Sequence, residues 1–294
     1  MHLIRAATLV TPDPDATAAV YVRWLDYEIV ETGLVPADLA ASWGAPACAD
    51  RRYVVTKPAS GADVYLRFVQ GETPADYLPL RTYGWAAIEL CVNDVLAVNE
   101  RMLASPFEII GPPRLLDGLP TIFPMQVKGP DQEIVFLTQI LGDLPDYDLP
   151  RAKSLVDHLF ILVLACSDLE ASNAWLSQVL RLEAGRAIEL AYGVLSNAFA
   201  LPADHKHKIA TLTHERDVFL ETDQYPEAAT ARPQTLGELP PGVAMATFYH
   251  PEFDLLTGPW LSSPKARDGV VYGGGRAGVM KGQDGELIEV VEKV

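Results

Sequence analysis

The feature that most constrains this chain is an internal repeat. Asp63-Val64-Tyr65-Leu66-Arg67-Phe68-Val69-Gln70 corresponds to Asp217-Val218-Phe219-Leu220-Glu221-Thr222-Asp223-Gln224, a displacement of 154 positions. Each segment is followed by a Pro-containing connection and then by a strand-like run that opens on glycine, at Gly84 and Gly242. Near the ends, Gly129-Pro130-Asp131-Gln132-Glu133-Ile134-Val135-Phe136 matches Gly282-Gln283-Asp284-Gly285-Glu286-Leu287-Ile288-Glu289, displaced by 153. Such self-similarity means that one supersecondary unit is reused, so the fold is decided by how the copies pack. The two halves meet in a Pro- and Asp-rich linker around Gly142 to Pro150.

Each half opens with a strand and then a helix. In the second half Val156-Asp157-His158-Leu159-Phe160-Ile161-Leu162-Val163-Leu164 is too short and too β-branched for a helical span and reads as a buried strand. Ser167-Asp168-Leu169-Glu170 then forms a capping box with Ser167 at the N-cap, and Trp175, Leu176, Val179 and Leu180 follow at helical spacing. In the first half Asp13 and Asp15 sit at the equivalent turn. A third strand-then-helix pattern runs from Trp85 through the cap candidate Asn93 to Leu103. The unit is a strand, a helix and about three more strands, used four times. The fold class expected is α+β, two tandem domains of paired βαβββ modules, each a curled mixed sheet, over residues 1–145 and 151–294.

Composition narrows the function classes. With 49% apolar and 21% charged residues the 294-residue chain can bury a proper core. A formal charge of -16 lacks the clustered Lys and Arg that a nucleic-acid or anionic-membrane partner requires. Cys48, Cys91 and Cys166 are odd in number and in no CxxC arrangement, which fits a reducing cytoplasm better than a disulfide framework. The apolar start, Met1 to Val10, matches a strand better than a signal peptide, and no segment reaches the length of a membrane span. The expected partner is a small-molecule substrate, with room for a homo-oligomer. Gly273-Gly274-Gly275-Arg276-Ala277-Gly278 satisfies GxGxxG, but a strand rather than a helix follows it, so it reads as a loop over the cup and not a nucleotide site.

The opening Asp157-His158-Leu159-Phe160-Ile161-Leu162-Val163, its Ser167-Asp168-Leu169-Glu170 helix start and the closing Gln283-Asp284-Gly285-Glu286-Leu287-Ile288-Glu289-Val290-Val291 resemble the vicinal oxygen chelate superfamily. That superfamily includes glyoxalase I, bleomycin and fosfomycin resistance proteins and type I extradiol dioxygenases. The resemblance covers essentially the whole chain. It implies paired βαβββ modules curled into a cup, with a metal held inside on first and last strands.

Carried onto this chain, the resemblance implies a divalent metal, Fe2+ first and Zn2+, Mn2+ or Ni2+ as alternatives, on His158, Glu221 and Glu289. The matching places in the first half hold Leu3, Arg67 and Phe136, so the first domain is expected to be structural and the second to carry the site. A charged Glu289 on the face of Leu287 and Val291 would need a partner, and a cation would supply it. The alternatives are that His158 is a satisfied core residue and that the two glutamates face solvent on edge strands. In the fourth module Met245 stands where the resemblance would place a second histidine. His250, at that strand's end, would replace it only after a register slip. His207 precedes a strand as an acid/base histidine does in extradiol enzymes and could protonate a bound intermediate, though on spacing alone a solvated basic turn is the favoured reading. Tyr249 and Tyr272 are within the class that reaches a substrate oxygen, or are core and rim residues. The implied activity is a metal-dependent enzyme on a small oxygenated, aromatic substrate, extradiol-dioxygenase-like. Glyoxalase- or isomerase-type lyase work without dioxygen, or metal-free sequestration of a planar ligand as in the bleomycin-resistance branch, are the alternatives.

Overall fold

The computed structural model describes residues 3–116 and 118–293; Met1 and His2, part of the opening stretch read as a strand, lie outside the described residues. Four modules follow one another. The first holds β1 (Ile4–Thr11), α1 (Pro14–Leu25), β2 (Tyr27–Leu34), α2 (Ala37–Ser42), β3 (Arg52–Pro58) and β4 (Tyr65–Gln70). The second holds β5 (Gly84–Val92), α3 (Val95–Leu103), β6 (Glu108–Gly111), β7 (Ile122–Lys128) and β8 (Ile134–Ile140). The third holds β9 (Val156–Cys166), α4 (Leu169–Leu180), β10 (Glu183–Ala184), β11 (Ile188–Ala191), α5 (Gly193–Ala198), β12 (Lys206–His214) and β13 (Asp217–Gln224). The fourth holds β14 (Gly242–His250), β15 (Lys265–Ala266), β16 (Arg276–Lys281) and β17 (Leu287–Glu292).

Local chemistry explains most boundaries. The Asp13 carboxylate caps α1 by accepting from the amides of Asp15 and Ala16, with Pro14 at the first helical position. Asp94, not Asn93, caps α3, and Asp168, not Ser167, caps α4. The expected fourth helix is absent: between β14 and β15 there is one short 3-10 turn, Phe253–Leu255, so the fourth module is a strand, a loop and three strands.

The repeated Gly-x-Asp-x-Glu motif is a β-hairpin device. Gly129 and Gly282 donate their amides to the carbonyls of Glu133 and Glu286, while each glutamate's carboxylate accepts the amide of Asp131 or Asp284. The carboxylate folds back so closely that a Cβ on Gly129 or Gly282 would lie 1.8 Å from Oε1 of Glu133 or Glu286. A larger residue would push that carboxylate off the Asp131 or Asp284 amide.

The chain is α+β with two curled mixed sheets. The sheets do not follow the two halves. One has the order β15-β16-β17-β14-β1-β4-β3-β2 and joins the fourth module to the first; the other, β10-β12-β13-β9-β5-β8-β7-β6, joins the third to the second. In each, the two first strands meet antiparallel at the seam, β1 with β14 and β5 with β9, and each first strand pairs parallel with its own module's last. The linker around Gly142 to Pro150 therefore separates β8 from β9, two strands of the same sheet. The main core mixes both sheets with α1, α3 and α4. Trp85 on β5 ties the sheets together by donating its indole N–H to the Leu287 carbonyl at 2.8 Å. Among the described residues no helix is long and apolar enough to cross a membrane.

Candidate functional site

The parallel pairing of first and last strands places one pair of facing residues in each module: Thr8 with Arg67, Glu89 with Phe136, Val163 with Glu221 and Thr247 with Glu289. Two pairs belong to each sheet. The two concave faces therefore present the same four positions filled with different chemistry.

In the sheet of the first and fourth modules these positions close on themselves. The Glu289 carboxylate is 1% exposed. It accepts from the Arg67 guanidinium at 2.8 Å, the Trp43 indole at 2.8 Å, the Tyr272 hydroxyl at 2.9 Å and the Thr247 hydroxyl at 2.9 Å. Arg67 also donates to Thr8 Oγ1 and to Tyr272, and stacks over Trp43 with its Cζ 4.7 Å from the ring centroid. A buried ion pair with a partner on each guanidinium nitrogen and each carboxylate oxygen needs no further cation. Trp43, which follows α2, and Tyr272 fill the space above it within a packed cluster. The glycine run supplies that tyrosine: Gly273 and Gly274 take positive φ in the turn, and β16 follows, as its rejection as a nucleotide site implied.

In the sheet of the second and third modules the concave face is open. A cavity of about 260 Å³ is lined mainly by apolar side chains, Phe136, Phe160, Ile161, Ile209 and Val218 among them, and by Glu89, Thr138, Tyr192 and Glu221. Glu89, 6% exposed, accepts the Thr138 hydroxyl at 2.5 Å. Burial pushes its carboxyl up to about 7, against the lowering effect of that bond. Period-two alternation puts Asp223 on the same face as Glu221. Both carboxyls are raised: burial is the largest cause for each, the charge of Asp223 adds to the rise of Glu221, and the charge of Glu89 adds to both. Asp223 is buried and Glu221 half-buried, and two close acids so enclosed ionise together only at a cost, which favours a pair that holds a proton. Asp223 Oδ1 has no hydrogen-bond partner. It borders a void of about 10 Å³ walled by Phe136 and Tyr192, which also wall the cavity.

The residues expected from sequence are dispersed. Glu221 lies in this cavity, Glu289 belongs to the other sheet, and His158 sits at the start of β9 with Nδ1 3.1 Å from Asp157 Oδ1. Five residues separate His158 from Val163, the strand partner of Glu221, which is about 16 Å of extended chain. Strict alternation along this strand would put His158 on one face with Phe160, Leu162 and Leu164, but a bulge intervenes. Glu89 pairs with Ile161 and Leu90 with Leu159, leaving Phe160 extra. Phe160 and Ile161 consequently both line the cavity, while Leu162 and Leu164 enter the helix-side core.

None of the three proposed catalytic residues lines the cavity. His207 is buried against Ser196 Oγ at 2.9 Å, and burial, with His205 adding to it, takes its imidazole down to about 4. His250 is likewise lowered by burial, held between the Leu180 carbonyl and the Glu252 amide. Tyr249 lies under the Arg5 guanidinium in the other sheet. Sequence reasoning passed over Glu89 and Asp223. The available signal was a glutamate inside the apolar run Trp85 to Val92, and an aspartate two positions after Glu221.

Among the described residues no group of three or more His, Cys, Asp or Glu is arranged to hold a metal ion. In the open cup Glu89 and Glu221 stand opposite Phe136 and Val163, which offer no lone pair; in the closed cup Arg67 already neutralises Glu289. The residues present do not fit the divalent cation expected from sequence.

No family model matches the chain, and no curated protein matches its sequence. Solved structures do. Glyoxalase I from Zea mays aligns with a TM-score of 0.65 at 16% identity, covering 98% of this chain and 92% of that one. A Bacillus subtilis protein provisionally described as a dioxygenase aligns with a TM-score of 0.61 at 10% identity, covering 98% and 84%. At these identities the likeness is one of fold, and it extends over the whole arrangement of four modules in two sheets. The chain has the vicinal oxygen chelate fold.

Proposed function

We propose that the cup of the second and third modules is a small-molecule site that holds a largely apolar ligand without a metal. The observation that carries this reading is the 260 Å³ cavity with Glu89 and Glu221 at its polar end, set against the filled cup of the other sheet. Apolar walls with a few convergent polar groups are the usual make-up of such sites. The metal-dependent dioxygenase reading depended on His158, Glu221 and Glu289 acting together, and no step is derived through a metal on residues so far apart. The three cysteines are free and buried, which supports the cytoplasmic placement drawn from their spacing.

Calorimetry with phenylpropanol, a neutral aromatic probe, tests the reading. One site per chain is expected, lost when Thr211→Trp fills the cavity it lines; binding that survives this substitution contradicts it.

Glyoxalase- or isomerase-type proton transfer is a second reading, favoured by the Glu89 carboxyl held near 7 inside the cavity. It predicts that a bound ketone exchanges an acidic carbon-bound proton with deuterated solvent, at a rate rising through pH 7 and abolished by Glu89→Gln. Equal exchange in that variant would remove this reading.

A further inference from the structure

We infer that the open cup takes an organic cation: a molecule with an apolar or aromatic body whose protonated amine lodges between Glu89 and the Glu221–Asp223 pair. The inference rests on the reading of this cavity as a ligand site. Glu89 and Glu221 stand on β5 and β13 with β9 between them, so two strand spacings, about 10 Å, separate their backbones. Both carboxyl groups line the cavity, which leaves room for one small charged group reached from both sides.

These acidic groups lack what Glu289 has. Glu89 receives one hydroxyl, Asp223 Oδ1 receives nothing, and among the lining residues the single Lys or Arg is Arg186, exposed at the mouth. Buried carboxylates without a cation hold protons instead, and an ammonium that pairs with them removes the penalty of burial. The walls suit the rest of such a ligand. The Phe136 and Tyr192 rings meet edge-on, with centroids 6.1 Å apart, and Phe160 adds a third ring from β9. An anion would meet like charge, and a neutral molecule would gain only the apolar contact. A divalent metal would find carboxylates and the Thr138 hydroxyl but no imidazole.

The full-length protein is titrated with phenylpropylamine, phenylpropanol and phenylpropionate at pH 7.5. The amine is expected to bind at least tenfold more tightly than the alcohol, and the acid not at all. Its binding should release protons and strengthen as pH rises from 6 to 8. Tyr147, Tyr192 and Arg186 on the cavity wall, Tyr225 beside Asp223, and the thiols of Cys91 near Glu89 and Cys166 near Asp223 are the other titratable groups around the three acids. Glu89→Gln and Glu221→Gln, isosteric exchanges that remove buried acids and leave the fold intact, should each reduce the amine-to-alcohol ratio toward one. Equal binding of amine and alcohol, or an unchanged ratio in both variants, overturns the organic-cation inference while leaving the cavity a ligand site. Stoichiometric displacement of the amine by Mn2+ overturns it in favour of a metal. Failure of all three probes to bind overturns both this inference and the reading beneath it.

Discussion

The two cups share a fold, a strand order and four equivalent positions, yet one is finished and the other is not. In the first-and-fourth-module sheet a guanidinium, an indole and two hydroxyls converge on Glu289, and Trp43 and Tyr272 occupy the bowl. In the second-and-third-module sheet two carboxyls, Glu89 and Glu221, face a cavity with one hydroxyl bonded to them, and Asp223 stands behind Glu221 at an adjoining small void. A buried charge with its counter-charge is a structural element; buried acids without one are poised to meet a ligand. Arginine at position 67 of the repeat and glutamate at its counterpart, Glu221, decide which cup is which.

The largest expected effect is in the closed cup. Arg67→Met should lower unfolding stability by about 3–5 kcal/mol, because it strands the Glu289 carboxylate in a dry site. Combining it with Glu289→Leu should restore most of that loss, read by denaturant unfolding. A double variant no more stable than the single one would show that the pair is not a self-contained unit.

The open cup predicts a pH dependence of opposite character. A carboxyl whose folded-state pKa lies above its unfolded value contributes stability that is complete below about 4.5 and is lost as pH rises through the folded value. For Glu89 that is the window from about 4.5 to about 7. Its share is up to about 3 kcal/mol. Stability should fall from pH 5 to pH 8, and Glu89→Gln should flatten the fall. A remaining slope is expected from the Glu221–Asp223 pair and from the hairpin acids Glu133 and Glu286, which burial raises to about 8 and about 7. An unchanged profile in the variant would place the Glu89 carboxyl in contact with water.

Smaller effects separate scaffold from site. Trp85→Phe removes the indole bond to Leu287 that joins the sheets and should lower stability by about 1–2 kcal/mol, with both cups affected alike. His207→Gln, which disturbs the bond to Ser196, should lower stability by about 1 kcal/mol while leaving phenylpropanol binding unchanged. A large loss of binding in this last variant would return His207 to the site.

The modules were legible in the sequence because their signals are local. Capping aspartates, the glycines that open β5 and β14, and the Gly-x-Asp-x-Glu hairpins all act within a few residues. Cap positions shifted by one residue because Asn93 and Asp94, or Ser167 and Asp168, are adjacent residues of the capping class. The partnership of modules was not legible. Whether β1 meets β5 or β14 is settled by contacts more than 200 residues apart, and the chain's two halves suggested the nearer choice. The metal trio failed for the same reason, since Glu221 and Glu289 share a half of the chain but not a sheet. Strict alternation would have kept His158 on one face with Leu162 and Leu164, and one bulged residue between them, Phe160, breaks it. Glu221 survived as a cavity residue because the repeat that marked it is also what places it on a last strand.

Backbone amide shifts on titration with phenylpropanol test most directly that the two cups differ in what they accept. Saturable changes should be confined to β5, β7, β8, β9, β11, β12, β13 and the loops that line the cavity, with the indole N–H of Trp43 unmoved. Changes centred on Trp43, Tyr272 and β17, with Glu89 and Glu221 unaffected, would contradict the assignment of an open and a closed cup.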